Sequence, residues 1–141
     1  MYYSGKKKRH TLKSQVVIDK ATGIILCTYI AKGRRHDFRV YKESKIHLPM
    51  SVILQADSGY QGLKKLHANC ELPTKSTKKY PLTIAQKKDN HILASSRVLV
   101  ENVIRKLKIF KVLSERYRNR RRRFGLRLNL IAAICNYQLY L

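Results

Sequence analysis

The sequence predicts a mixed α/β domain, and three observations carry that prediction. Two β-branched runs, "HTLKSQVVID" and "GIILCTYIAK", are joined by "KATG", which has the loop length and terminal glycine of a hairpin. A short apolar run, "SVILQA", has the length of a buried strand and breaks at Asp57 into the glycine-rich "DSGYQG". From about Thr83 the apolar spacing turns helical, and after the basic stretch "ERYRNRRRR" it stays helical to the C-terminus. At 141 residues and 44% apolar content, the chain is sized for one domain, residues 1–141, with a modest core.

Taken in order, the hairpin places Asp19 at an exposed turn. "DFRVYKES" is short and helix-compatible, with Asp37 placed to cap its first turn. "SVILQA" then supplies a third strand that ends at Asp57. The stretch 63–69 allows a helical turn or two, and "PTKSTKKYP", bounded by Pro73 and Pro81, carries a loop signal and is expected to be the most mobile segment. One long helix is expected from about Thr83 to Val112, and a second from about Phe124 onward. The second, "FGLRLNLIAAICNYQLYL", reads as a core-packing helix whose Arg127 and Asn129 argue against membrane insertion.

Composition narrows the partner. Thirty-one Lys and Arg stand against eight Asp and Glu, a formal net charge of +23. Self-repulsion of that size destabilises a small compact domain unless a polyanion is near, so nucleic acid is the expected partner. Cys27, Cys70 and Cys135 are odd in number and lack paired metal spacing, which speaks against a disulfide framework or a zinc ribbon and for a reducing cytoplasm. His67 and Cys70 form a lone H-x2-C with no second pair at ligand spacing. No apolar run reaches the roughly 18 residues a membrane span needs. The opening "MYYSGKKKRH" lacks the apolar stretch of a secretory signal. A soluble, unexported protein is expected.

The predicted long helix has a stripe of interest. At about 100° per residue, Val100, Val103, Ile104 and Leu107 share one arc, and Arg97, Glu101 and Lys108 fall within about 40° of each other beside it. One acid stands between two bases. Spacing leaves two readings open: a surface Arg97–Glu101 pair at i, i+4 worth a few tenths of a kcal/mol, or a functional stripe. Asp57 is equally open, as a turn-opening Asx residue or a functional carboxylate. The run that includes Arg116, Arg118, Arg120, Arg121, Arg122 and Arg123 is either a solvated connector or a DNA-backbone contact.

"YYSGKKKRHTLK", G-x-x-HD from Gly33 to Asp37, "ADSGYQG" and "RVLVENVIRKLKIFK" resemble the C-terminal catalytic part of bacterial insertion-sequence DDE transposases, in the same order and over nearly the whole chain. The resemblance implies an RNase H-like endonuclease fold and metal-dependent DNA cleavage and strand transfer in transposition and recombination. In that family a helix carries R-x3-E-x6-K, matched here by Arg97, Glu101 and Lys108, and the second catalytic Asp ends a strand, matched by Asp57. A Tyr that the family places three residues before the Arg is Ala94 here.

The resemblance also implies roles for individual residues. Asp57 and Glu101 are the expected catalytic and metal-holding carboxylates, for two Mg²⁺ (or Mn²⁺) ions about 4 Å apart. Arg97, Lys108, Arg120, Arg121, Arg122 and Arg123 are the expected DNA contacts. The family's first catalytic Asp lies on a central strand upstream of the segment matching "YYSGKKKRH", and neither Asp19 nor Asp37 is placed to replace it. The expected chain is therefore a truncated catalytic domain, missing the first central strand, with an impaired metal site and no activity alone. Transposon-end DNA is the expected partner, in a bacterial, nucleoid-associated setting, and homo-oligomerisation is left open. The competing class is a small, basic, ribosomal-like nucleic-acid-binding protein without chemistry, which has no need of a lone Glu among bases beside a strand-ending Asp.

Overall fold

The computed structural model describes residues 3–4, 9–115 and 121–141. The chain divides into two compact units, Met1–Arg34 with Val98–Leu141, and Arg35–Arg97. The architecture is mixed α/β, and among the described residues the strands form three two-stranded sheets.

In the first unit, β1 (Tyr3–Ser4) pairs antiparallel with β2 (Arg9–His10). The predicted hairpin follows as β3 (Leu12–Ile18) and β4 (Ile25–Lys32), in register from Leu12 opposite Lys32 to Ile18 opposite Ile25, with an irregularity between Val17 and Ile18. Its turn is self-bonded. Asp19 accepts from the Ala21 amide at 3.1 Å and the Thr22 hydroxyl at 2.6 Å, and Gly23 takes the positive φ of 77° that a side chain resists.

Among the described residues, this unit also contains the helices α3 (Val98–Ile109), α4 (Lys111–Ser114) and α5 (Phe124–Tyr137). As predicted, α5 packs into a core. It buries Phe124, Leu128, Ile131, Ala132 and Cys135, spaced to share one helical face. Ile131, Ala132 and Cys135 join Ile25, Val103 and Leu107 in one cluster, flanked by Val16, Ile18, Phe110, Val112 and Leu113. Each large side chain so buried stabilises by about 1.5–3 kcal/mol. Two polar ties fix the helix on the hairpin: the Thr28 hydroxyl donates to the Asn129 side chain, and the Asn136 amide serves both the N–H (2.8 Å) and the C=O (2.9 Å) of Ile25.

The second unit contains α1 (Asp37–Ser44), β5 (Leu54–Gln55), β6 (Cys70–Glu71) and α2 (Ile84–Ser96), with 3-10 turns at Ser58–Tyr60 and Leu63–Lys65. Its interior is small: Val40, Tyr41, Leu63 and His67 are the buried residues. A capping box between Thr83 and Gln86 opens α2.

The structure corrects the sequence reading in three places. "SVILQA" is not a buried strand: only Leu54 and Gln55 are paired, parallel with Cys70 and Glu71, and Val52 and Ile53 are 43% and 58% exposed. An apolar run makes a strand available, but burial needs packing partners on both faces. The single helix expected over 83–112 is divided at Arg97, which caps α2 with its amide bonded to the Ala94 carbonyl at 3.1 Å. The Ser96 hydroxyl lies 2.9 Å from the Leu93 carbonyl and 3.0 Å from Gln55 Oε1, a side-chain competitor for helical backbone at the break. Finally, Asp37 is not the cap of α1. His36 holds that position without a side-chain bond, and Asp37 is the first helical residue, where a negative charge still suits the helix dipole.

Candidate catalytic site

The path of the chain into Asp57 is set by strand pairing. Beyond Gln55, the Ala56 amide bonds the Glu71 carbonyl at 3.2 Å, so the two-residue ladder carries through to the residue before Asp57. Asp57 then turns the chain: it caps the 3-10 turn in an extended conformation, its Oδ1 accepting from the Gly59 amide at 3.2 Å and its carbonyl from the Tyr60 amide at 3.0 Å. The Asx-turn reading is thus correct for this residue. It is also compatible with a second role, because a carboxylate in water retains further lone pairs.

Electrostatics keep Asp57 ionised. Burial, the largest single influence, pushes its carboxyl upward, but the Ser58 and Gly59 hydrogen bonds and the Arg97 charge together outweigh it and hold the group below the usual carboxylate range. Arg97 reaches this environment as the half-buried cap of α2.

The turn is backed by the first turn of α1. A Cβ built on Gly59 would lie 2.5 Å from Asp37 Oδ2 and 3.1 Å from its Cγ, and one on Gly62 would lie 2.6 Å from Phe38 Cζ. A side chain at either position would therefore oblige Asp37 or Phe38 to shift. Between them sits Tyr60, whose hydroxyl is pushed up to about 12 by burial first, then by the negative charges of Asp37 and Asp57. Sequence reasoning assigned no role to Tyr60 and only a cap to Asp37. The signal that points to them is the paired glycines of "DSGYQG", three residues apart and facing the adjacent residues Asp37 and Phe38.

The remaining candidates fall elsewhere. Glu101 lies in the first turn of α3 and Lys108 in its last, both exposed, seven residues and so about 10 Å of helix apart on nearly the same face. The apolar arc is as read: Val103 and Leu107 are buried, and Val100 and Ile104 half-buried. Arg97, however, precedes the start of α3, so it does not share one continuous helix with Glu101 and Lys108. Asp57 and Arg97 belong to the unit 35–97, Glu101 and Lys108 to the other. Arg121–Arg123 form a 3-10 turn before α5, in which Arg122 and Arg123 are exposed; Arg120 lies outside the described residues. His67 is buried, with Nε2 2.7 Å from the Val52 carbonyl, which gives the H-x2-C pair a structural explanation.

The carboxylates of Asp57 and Glu101 suit Mg²⁺ in kind, since that ion takes oxygen ligands and keeps several waters. In number they fall short: among the described residues no group of three or more His, Cys, Asp or Glu gathers to hold a metal. Nor, among the described residues, is any helix long and apolar enough to cross a membrane.

The motifs "YYSGKKKRHTLK", G-x-x-HD, "ADSGYQG" and "RVLVENVIRKLKIFK" carry the sequence resemblance to DDE transposases, and comparison with known proteins bears out the family. Residues 1–136 match the DDE superfamily endonuclease family, and the chain belongs to it. It is 49% identical over 140 residues to the probable transposase for insertion sequence element IS702 of Microchaete diplosiphon, an alignment covering 99% of this chain and 51% of that protein. The chain thus spans about half the length of this relative. No solved structure matches it.

Proposed function

We propose that this chain is part of the catalytic domain of an insertion-sequence DDE transposase, contributing Asp57 and Glu101 as two of the carboxylates of an RNase H-like site. The observation that supports this most directly is Asp57, delivered by a strand pair and kept ionised by the Ser58 and Gly59 hydrogen bonds and the Arg97 charge, in a chain that belongs to the DDE superfamily endonuclease family. Bound Mg²⁺ or Mn²⁺ would activate the attacking oxygen and stabilise the leaving one. The protein's own part is to hold two carboxylates ready as hard oxygen ligands, and to neutralise DNA phosphates with Arg97, Lys108 and the arginines at 120–123.

A residue that completes the carboxylate set is assigned to the portion of a transposase-length polypeptide that this chain does not span. Alone, the 141 residues are expected to bind duplex DNA through phosphates and to nick it negligibly. The test is a binding assay beside a nicking assay, on this chain and on a fusion with the uncovered half of the IS702-type relative. Affinity should fall linearly with salt on a log–log scale, with a slope of about −0.9 per phosphate contacted. The fusion should nick in Mg²⁺, and Glu101→Gln should abolish nicking with DNA affinity nearly intact. A fusion that nicks equally well with Asp57→Asn overturns the assignment. If neither protein nicks but both bind, the non-catalytic nucleic-acid-binding class is favoured.

A further inference from the structure

Asp37 and Phe38 open α1, and Gly59 and Gly62 shape the turn after Asp57; the structure fits these two pairs together within one unit. The fit is close. A methyl group on Gly59 would meet the Asp37 side chain at 2.5 Å (Oδ2), 3.1 Å (Cγ) and 3.2 Å (Cβ), and one on Gly62 would meet the Phe38 ring at 2.6 Å (Cζ) and 2.7 Å (Cδ1). Gly59 is also the residue whose amide donates to Asp57 Oδ1, and the Tyr60 amide bonds the Asp57 carbonyl. Hence the residue that Asp37 lies against is, with Ser58, one of the two that hydrogen-bond the Asp57 carboxylate.

Helix capping does not account for Asp37. His36 occupies the cap position, and the Asp37 carboxylate lies against the turn instead. The negative charge of Asp37 is felt at the Tyr60 hydroxyl together with that of Asp57. We infer that Asp37 is a positioning residue: with Phe38 it clamps the 58–62 turn against α1 and thereby holds the Asp57 carboxylate in one orientation for the reaction. Its action on chemistry runs through Gly59 and rests on the reading of Asp57 as a catalytic carboxylate.

The test combines amide hydrogen exchange on the full chain with nicking kinetics on the fusion described above. Asp37→Ala should speed exchange of the Gly59 and Tyr60 amides at least tenfold, leaving the β3 and β4 amides unchanged. In the fusion it should lower kcat at least tenfold, with KM for DNA within twofold. Asp37→Asn, which fills the same space, should recover part of both effects. Gly59→Ala should speed the same amides, and adding Asp37→Ala to it should relieve part of that change rather than add to it.

Unchanged exchange at Gly59 in Asp37→Ala, or equal acceleration in the hairpin, overturns the clamp. If the turn loosens and Asp57→Asn abolishes nicking, but Asp37→Ala leaves kcat intact, the positioning role is overturned and the catalytic reading survives. If Asp57→Asn itself leaves nicking intact, the catalytic reading falls, and with it the part of the inference that concerns chemistry; exchange alone then decides the clamp.

Discussion

The two units of this chain reach order by different means. In the hairpin and helix unit, α5 and α3 bury Val103, Leu107, Leu128 and Ile131 with Ile25 in a hydrophobic core, and Asn136 and Asn129 add polar ties to the hairpin. Residues 35–97 have Val40, Tyr41 and Leu63 as their buried apolar residues, and a sheet of two-residue strands. Their order depends on side-chain hydrogen bonds to backbone, such as Asn90 to Thr74, Gln61 to Pro73 and His67 to Val52, and on glycines that let α1 close on the Asp57 turn. Apolar burial is tolerant of small shifts, whereas close contacts at glycine and directional hydrogen bonds are not. The unit with less core is therefore the one that holds Asp57 most narrowly.

If that contrast is right, truncating a core residue should matter most in the first unit. Leu107→Ala, at a side chain 4% exposed, should destabilise it by about 3 kcal/mol, the transfer loss plus a residual cavity. Val40→Ala, at a fully buried residue of the other unit, removes two methyl groups and should cost about 2 kcal/mol. Urea unfolding of the two variants, with exchange reporting on each unit, measures both. A larger loss from Val40→Ala would break the comparison.

A smaller effect tests the polar ties. Asn136→Ala leaves the Ile25 N–H and C=O without their side-chain partner, at about 1–3 kcal/mol if water does not replace it. Asn136→Asp keeps an acceptor for the N–H but loses the donor, and should fall between the alanine variant and wild type. Equal stability of all three in thermal unfolding would show that solvent satisfies Ile25 unaided.

How much could be read from sequence depends on the range of the interactions involved. The hairpin was legible because its β-branched runs, its turn and Gly23 are local. The packed face of α5 was legible from helical spacing. The break at Arg97 was not: no Pro or Gly marks it, and the Gln55 side chain that meets Ser96 is 41 residues away in sequence. Likewise, "SVILQA" announced a strand but not the exposure of Val52 and Ile53, which is decided by what packs on them. Within the candidate site, Asp57 and Glu101 were found by motif resemblance and their roles remain proposals, whereas the contact of Asp37 with Gly59 joins two motifs that sequence presents separately.

The smallest expected effect probes the tightness of the Asp57 turn by pH. Tyr60 has its hydroxyl raised from the ordinary 10.0 to about 12, first by burial and then by the charges of Asp37 and Asp57. A group that holds its proton more firmly when folded contributes fully below the unfolded value, and the contribution is lost as pH rises from about 10 through about 12. The full difference would correspond to about 2.7 kcal/mol, and solvent screening at this half-buried side chain reduces it to about 1 kcal/mol. Tyrosinate absorbance should therefore show a late ionisation step that Tyr60→Phe removes. Asp37→Asn should move that step toward 10 without abolishing it, since burial is the larger cause and Asp57 remains. If Tyr60→Phe leaves the late part of the titration of the folded chain unchanged, the turn is open to water, and the contrast between a tolerant core and a narrowly held Asp57 does not hold.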